Sequence, residues 1–497
     1  MQEDKIRTKL PPNLPIEASL ERNIKNITQI TGGSSDVIIK TAMIAANNVA
    51  IVTCEGMADT DTLAQLIYSR LSAVDESLSP EALMERFFKA YMIAAEQLEI
   101  KSLGDLVLKM QSGFAVILVD GCTRAIAIGV QGYKSRGIDE PSAELDVRGS
   151  REGFVEVVRT NMAMIRRRIK SPTLVFELFP IGARSNTDIC ICYMSDRASP
   201  KLLADVKKRI KGVKLDTILE SGYIQPFLEG KGGWFFSECG TCERPDTLAA
   251  KLYEGRVAVL VDGTPFALVV PYLFIENFQT LDDYTQKPFY AFFVRLVRLA
   301  AYLITLFLPG AYVAVASFHP EMLPSSLLLN LAAAEQTAPY SLMGECLFLH
   351  FMYEILREAG IRLPRPVGHA IGVVGGLVIG DITVSAGLAG APMVLVVALS
   401  GLCSFVVPAI YEKTVVLRFL YIAAGGLFGL YGLGLAAGAV IIKMCSLNTY
   451  GVPYMSPISP FTPKAARDML VRAGWRTLAE SDMKIQELNG AQIKEQT

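Results

Sequence analysis

An α/β soluble N-terminal domain of two similar subdomains, followed by an all-α polytopic membrane domain, is the fold class that this sequence predicts. Three observations predict it. Strand-and-turn patterns in the first half recur about 140 residues apart. Charged residues are dense up to Lys287 and sparse from there to about Leu447, a step hidden by the chain averages of 51 % hydrophobic and 20 % charged residues. From Val367 to Gly387 the only charge is Asp381, directly after Arg357, Arg362 and Arg365. As a helix that stretch rises ~32 Å, about the thickness of a bilayer's hydrocarbon core. The division that follows is a flexible N-terminal segment (1–35), two cytoplasmic α/β subdomains (36–145 and 146–285), a transmembrane helical domain (286–446) and a C-terminal tail (447–497).

The first 35 residues are polar, with Pro11-Pro12 and the Gly32-Gly33-Ser34-Ser35 cluster. They lack the apolar core of a signal peptide, so the N-terminal half is expected in the cytoplasm. Asn48–Thr53, a β-rich run followed by the helical stretch Thr62–Leu71, matches Asp188–Tyr193 followed by Leu202–Ile210 at an offset of 140. Gly113–Val119 ends in Asp120-Gly121, and Gly255–Val261 ends in Asp262-Gly263 at an offset of 142. Asp-Gly suits a tight hairpin because both residues tolerate positive φ, and Arg124–Val130 and Phe266–Val270 read as the return strands. Two such copies suggest a duplication.

Between the copies, Phe154, Val157, Val158, Met162, Ile165 and Ile169 form an apolar helical stripe with Asn161 among them. Arg159, Arg166, Arg167 and Arg168 crowd the same helix. Arg148, Arg151, Glu152, Arg166, Arg167 and Arg168 are therefore candidates for an interdomain or partner-facing site. Either the basic helix faces anionic headgroups or a partner's acids, or its arginines pair with nearby acids such as Glu152 and Glu156.

In the second half, Arg295 and Arg298 precede the apolar Leu299–Phe318, which Pro309-Gly310 should kink. The loop His319–Tyr340 has no Lys or Arg and is expected outside, whereas Arg357–Pro366 is expected inside. Ser341–Leu356 carries Glu345, His350 and Glu354, polar intramembrane candidates that are costly in lipid. It either crosses facing protein or lies in the interface. Val367–Gly387, Met393–Ile410 and Val415–Ile442 follow. Gly372, Gly376 and Gly380 make one ridge that permits close helix approach, and with Asp381 they are the pore and helix-packing candidates. The last run, with Gly425/Gly429 and Gly434/Gly438, is long for one crossing. The basic tail (Lys464, Arg467, Arg472, Arg476) belongs inside, so either Ser341–Leu356 does not span or the last run turns back.

Chemistry is sparse. A net charge of −1, with no basic tract longer than Arg166–Lys170, gives no electrostatic case for nucleic acid. Of nine cysteines only Cys239-Gly-Thr-Cys242 has metal or redox spacing, and no second pair accompanies it, so reduced thiols in a loop are expected. His319, His350 and His369 lie in separate segments, and no HExxH, Walker or GxSxG motif occurs. No catalytic residue, metal or cofactor is expected, and the chain does not read as an enzyme. A channel-forming subunit, a non-conducting membrane scaffold and a secondary transporter all remain open.

Several stretches together resemble one family: Val147–Phe154 with Arg166–Ile169, Glu243–Asp246 with Gly255–Pro265, Phe318–Glu321, and Glu354–Pro366. They are similar to the A-type subunits of the nutrient germinant receptors of bacterial endospores, which have a sporulation-stage V paralogue. Ser150 stands where the family usually has proline. The resemblance implies an integral protein of the spore inner membrane with a cytoplasmic N-terminal domain. It further implies a pentameric, lipid-embedded cation channel that acts with a transporter-like B subunit and a lipoprotein C subunit to trigger germination.

Overall fold

Runs such as Phe114–Val119, apolar at every position, can be stable as strands only when helices cover both sheet faces. The computed structural model describes residues 14–65, 78–90, 96–132, 149–230, 235–335, 338–363, 375–376, 378–480 and 483–493. It divides into two compact units. The first comprises Met1–Tyr272 with Thr449–Val452 and Asp482–Thr497, and the second Leu273–Asn448 with Pro453–Ser481.

The first unit contains two five-stranded antiparallel sheets of identical order. Strands β1 (Val37–Ile44), β2 (Asn47–Cys54), β3 (Gln97–Ile100), β4 (Phe114–Val119) and β5 (Ala125–Gly129) run in the order β1-β2-β4-β5-β3. Strands β6 (Leu174–Ile181), β7 (Thr187–Met194), β8 (Gly240–Cys242), β9 (Val257–Val261) and β10 (Ala267–Val270) repeat it as β6-β7-β9-β10-β8. On the first sheet, α1 (Leu20–Ile30) and α3 (Leu103–Met110) pack against Val116 and Leu118, while α2 (Pro80–Ala90) covers Ala115 and Ile117. On the second, α4 (Val158–Arg168) and α6 (Pro245–Tyr253) share a core with Ala258 and Leu260, and α5 (Pro200–Lys211) buries Leu202, Val206 and Ile210.

The repetition extends to single atoms. Asp120 Oδ1 accepts the N–H of Leu20 (3.0 Å), and Asp262 Oδ1 accepts that of Val158 (2.9 Å), so each carboxylate holds the first turn of a helix. Asn23 brackets the backbone of Glu17 with both ends of its amide, and Asn161 does the same to Val155. The Asp-Gly dipeptides do not make two-residue hairpins. Each opens the five-residue connection between its strands, with only the glycine left-handed (Gly121 φ 90°, Gly263 φ 93°). The aspartate is free of that strain because its work is to cap a helix.

Two further expectations need correcting. The segment 1–35 is not a uniformly flexible lead-in, because α1 lies within it, anchored by buried Leu20, Asn23 and Ile27 at helical spacing. Of the two thiols expected in a loop, Cys239 lies in the bend before β8 and Cys242 within the strand. Both are buried, and the Cys242 Sγ lies 3.2 Å from the Arg244 carbonyl.

A buried ion pair joins the two sheet layers. Arg166 of α4, 1 % exposed, donates from Nε to Asp36 Oδ2 (2.7 Å) and from Nη2 to Asp36 Oδ1 (3.0 Å). Its remaining donors reach the carbonyls of Ser171 and Leu174, and its plane lies 5.1 Å from the centre of the Phe176 ring. Ser34 and Cys54 also donate to Asp36. Burial by itself raises the Asp36 carboxyl, but the charge of Arg166 and these hydrogen bonds outweigh it and leave the group below its ordinary range. Nearby, Ser35 donates through both N–H and Oγ to the Phe176 carbonyl.

The second unit is helical: α7 (Pro288–Phe318), α8 (Ser325–Glu335), α9 (Leu342–Arg362), α10 (Ala391–Ser404) and α11 (Tyr411–Ser446). α7 and α11 are long and apolar enough to cross a membrane. α7 begins eleven residues before Leu299, includes Arg295 and Arg298, and runs through Pro309 as one helix.

The last apolar run turns back. Gly429 adopts φ 63° and ψ −154°, a region essentially reserved for glycine. The chain then doubles over itself: a side-chain carbon at Gly432 would lie 2.6 Å from the carbonyl oxygen of Ala424, eight residues earlier. A straight helix separates such residues by ~12 Å. Accordingly, Tyr411 and Thr414 share a cavity wall with Tyr302 and Thr305, Gly429 abuts Phe318 and His319, and Leu433 returns to Gly310. The limb 411–428 therefore runs alongside α7 in the same direction, and 430–446 runs back.

Replacing Asp36 with asparagine leaves Arg166 buried beside a neutral amide and is expected to destabilise the first unit by about 3–5 kcal/mol. Denaturant unfolding of the full chain measures this. Because the folded carboxyl titrates below its unfolded value of about 3.9, the wild-type contribution is complete above about pH 4 and disappears as pH falls through the folded value. Asp36→Asn should remove that acid-side loss.

Candidate functional site

The helical unit buries charge where apolar packing would be cheaper, and that makes its interior the candidate site. α9 brings three acids and bases inward. Glu345, 2 % exposed, accepts the N–H of Gly390 (2.7 Å) at the start of α10, so its negative charge meets a helix N-terminus. His350 is fully buried against the edge of Phe419. Glu354 sits at the centre of a cluster: it accepts from Arg418 Nη2 (2.5 Å), Arg357 Nε (2.9 Å) and the Tyr411 hydroxyl (2.8 Å). Arg357 also stacks over the Tyr411 ring at 4.2 Å.

This cluster ties α9 to the first limb of α11. Arg418 is wholly buried, and its Nε and Nη1 have no hydrogen-bond partner, nor does either ring nitrogen of His350. Beside it, Tyr302, Thr305, Ser404, Tyr411 and Thr414 help line a cavity of about 10 Å³, the size of one water molecule. Arg357 and Arg418 both face Glu354 in this cluster, and Arg357 also lies 3.9 Å from Glu358, which is paired at 2.6 Å with Arg362. No nucleophile stands beside a base here, and the described residues hold no group of three metal-ligating side chains.

Two of the three ridge glycines, Gly376 and Gly380, meet no described residue of the chain: no atom lies within 4 Å of where their side chains would begin. Gly372 lies outside the described residues. The close approach falls instead at Gly375, whose added carbon would lie 2.6 Å from Leu356. Val378–Ile382 forms a π-helical turn, which widens the residue spacing and takes Gly380 out of line with Gly376. Asp381 sits exposed in that turn.

In the first unit, Arg148 lies outside the described residues and Arg151 is exposed. The arginines of α4 are paired: Arg166 with Asp36, Arg159 with Glu55 (2.5 Å), and Arg167 and Arg168 with Glu152. Burial raises the Glu152 carboxyl, but hydrogen bonds from Arg167 and Arg168 leave it lowered. Sequence reasoning missed Asp36, Tyr411 and Arg418. The available signal was arginine beside tyrosine and threonine within an otherwise apolar run, a residue that must find an acid.

A family model described as Bacillus/Clostridium GerA spore germination protein matches residues 25–483. The chain belongs to this GerA family. Among relatives, this GerA chain is 38 % identical to spore germination protein KA of Bacillus subtilis, over 93 % of this chain and 85 % of that one. It is 30 % identical to stage V sporulation protein AF of the same organism, over 95 % and 94 %. The crystal structure of the N-terminal domain of the A subunit of the Bacillus megaterium spore germinant receptor GerK3 is 30 % identical, covers 53 % of this chain and 98 % of its own, and has a TM-score of 0.43. The family resemblance carried by the motifs 147–154, 243–246 and 354–366 is thereby met.

Glu354→Gln should destabilise this GerA chain by about 3–5 kcal/mol, since Arg418 then stays buried without a counter-ion. Adding Arg418→Met should recover most of that loss. Thermal unfolding of the purified full-length variants checks both, and equal losses in the single and double variants would refute the coupling.

Proposed function

We propose that the chain is the membrane-embedded A subunit of a spore germinant receptor, with its first unit in the cytoplasm and its helical unit in the spore inner membrane. The observation that carries the membrane reading is the placement of charge. Residues 299–356, 366–412 and 419–442 contain no lysine or arginine, and each stretch holds one reversal of the bundle, at 319–341, 387–390 and Gly429. The cations gather at the opposite end, as the positive-inside rule requires of a cytoplasmic face. Tail and N-terminus also agree. Ile485 N–H donates to Glu254 O, Ser199 Oγ to Ile493 O, and Tyr450 OH to Leu228 O, so the chain leaves the first unit and returns to it. Such a chain crosses a bilayer an even number of times, and the reversal at Gly429 supplies the crossing that makes the count even.

Ion conduction between copies, not through one copy, fits the interior. A bundle core filled by side chains offers a cation little room, whereas Gly376, Gly380, Gly434 and Gly438 present bare backbone that no described residue of the chain covers. Small residues of this kind let helices of neighbouring copies meet closely. The reading is thus a pentameric ring in lipid that conducts monovalent cations, gated through a transporter-like B subunit that binds the nutrient and a lipoprotein C subunit.

Reconstitution of the purified chain in liposomes tests this, with the copy number read by mass and the ion flux by conductance. A multi-copy ring that leaks cations, and whose copy number or leak changes in Gly376→Leu, is expected. A ring without any conductance, alone or with the other subunits and nutrient, would leave a scaffold, and substrate-driven countertransport would point to a carrier.

A further inference from the structure

The start of α7 and the segment 453–481 belong to one unit and share a buried cluster of charge. Arg295, fully buried, donates to Asp283 Oδ2 (2.8 Å) and Asp468 Oδ1 (3.1 Å), and Arg298 to Asp283 Oδ1 (2.8 Å). Arg472, 2 % exposed, donates to the carbonyls of Gln286 and Tyr284. The planes of Arg295 and Arg472 both lie over the Tyr284 ring, at 5.6 and 5.9 Å. Three guanidinium groups thus meet two carboxylates, leaving one positive charge over. Arg295 Nη2 and Arg472 Nε are buried without a hydrogen-bond partner.

Around this cluster the surface is both aromatic and cationic. Phe289, Phe293, Phe461, Val471 and Trp475 are exposed, Trp475 by 62 %, and so are Lys464, Arg467 and Arg476. Trp475 lies 6.2 Å from Tyr284 and 5.0 Å from the Arg472 guanidinium, which places the apolar patch against the charged one. Aromatic rings flanked by lysine and arginine at the end of a long apolar helix match the headgroup layer of a bilayer, where rings sit among glycerol esters and cations meet phosphates. A second copy related by a two-fold axis would set these cations against themselves.

We propose that this surface binds the headgroups of anionic phospholipids and that they neutralise the surplus charge of the Arg295–Asp283–Arg298–Asp468–Arg472 cluster. The proposal rests on the membrane placement argued above. It commits to lipid phosphate, since free phosphate would leave the exposed rings without a partner.

Trp475 is a built-in reporter. The chain has two tryptophans, so Trp234→Phe leaves it as the single indole. The full-length variant, reconstituted in bilayers, is compared with brominated phosphatidylglycerol and brominated phosphatidylcholine at equal mole fraction. Phosphatidylglycerol should quench Trp475 with about fivefold or greater relative affinity, and Lys464→Gln/Arg467→Gln/Arg476→Gln should bring the two lipids level. Equal quenching in the unaltered chain would overturn the proposal. So would absence of quenching by either lipid in a carbonate-resistant chain, which would mean that protein covers this face. Loss of the preference in inorganic phosphate at constant ionic strength would reassign the surface to free phosphate. Release of the chain by carbonate would instead refute the membrane reading itself.

Discussion

Burying a guanidinium group is among the most expensive things a protein can do, and this chain does it repeatedly. Among the described residues, Arg166, Arg295 and Arg418 are the largest fully buried side chains. Each is held by a carboxylate distant in sequence: Asp36, 130 residues away; Asp468, 173 away; and Glu354, 64 away. An ion taken out of water is tolerable only if its partner arrives with good geometry, so each pair fixes the register of the elements that carry it. Arg166 fixes one sheet layer on the other, Arg295 the tail on the first helical turns, and Arg418 the last hairpin on α9.

The duplicated sheets show how one device serves two purposes. Asp120 and Asp262 end a strand and start a helix in the same few atoms, which locks α1 to the first sheet and α4 to the second. The copies then diverge where they meet. The position of Arg166 in α4 carries the ion that joins them, while α1 has nothing comparable and instead supplies, just after its end, the Ser34–Asp36 stretch that receives it.

In the helical unit the small residues are divided between inside and outside. Gly310 and Gly425 let α7 and the first limb of α11 touch backbone to backbone, and Gly375 admits Leu356. Gly376, Gly380, Gly434 and Gly438 face no described residue of the same chain. The first set builds the protomer. The second is surface left for another helix or for lipid, and it includes the positions at which the sequence placed its packing ridge.

Sequence alone determined whatever depends on neighbours along the chain. Unbroken β-prone apolar runs at 114–119 and 257–261 marked strands, the 142-residue offset marked the duplication, and the clustering of cations marked one end of the apolar helices. The motifs at 147–154 and 354–366 carried the family. Tertiary structure decided what depends on distant partners. Leu20–Ile30 looked like a polar lead-in because its stripe is only three or four residues deep and its anchor, Asp120, is a hundred residues away. Asp381 stood out by its apolar surroundings, yet Glu354 became the centre of the interior ion cluster because Arg418 was brought to it. A reversal at Gly429 leaves no trace in hydropathy, since both limbs are apolar and a glycine is compatible with helix or turn. Only packing against Phe318, Gly310 and Ala424 selects the turn, because a single residue's torsion is set by what the two limbs bury and not by its own side chain.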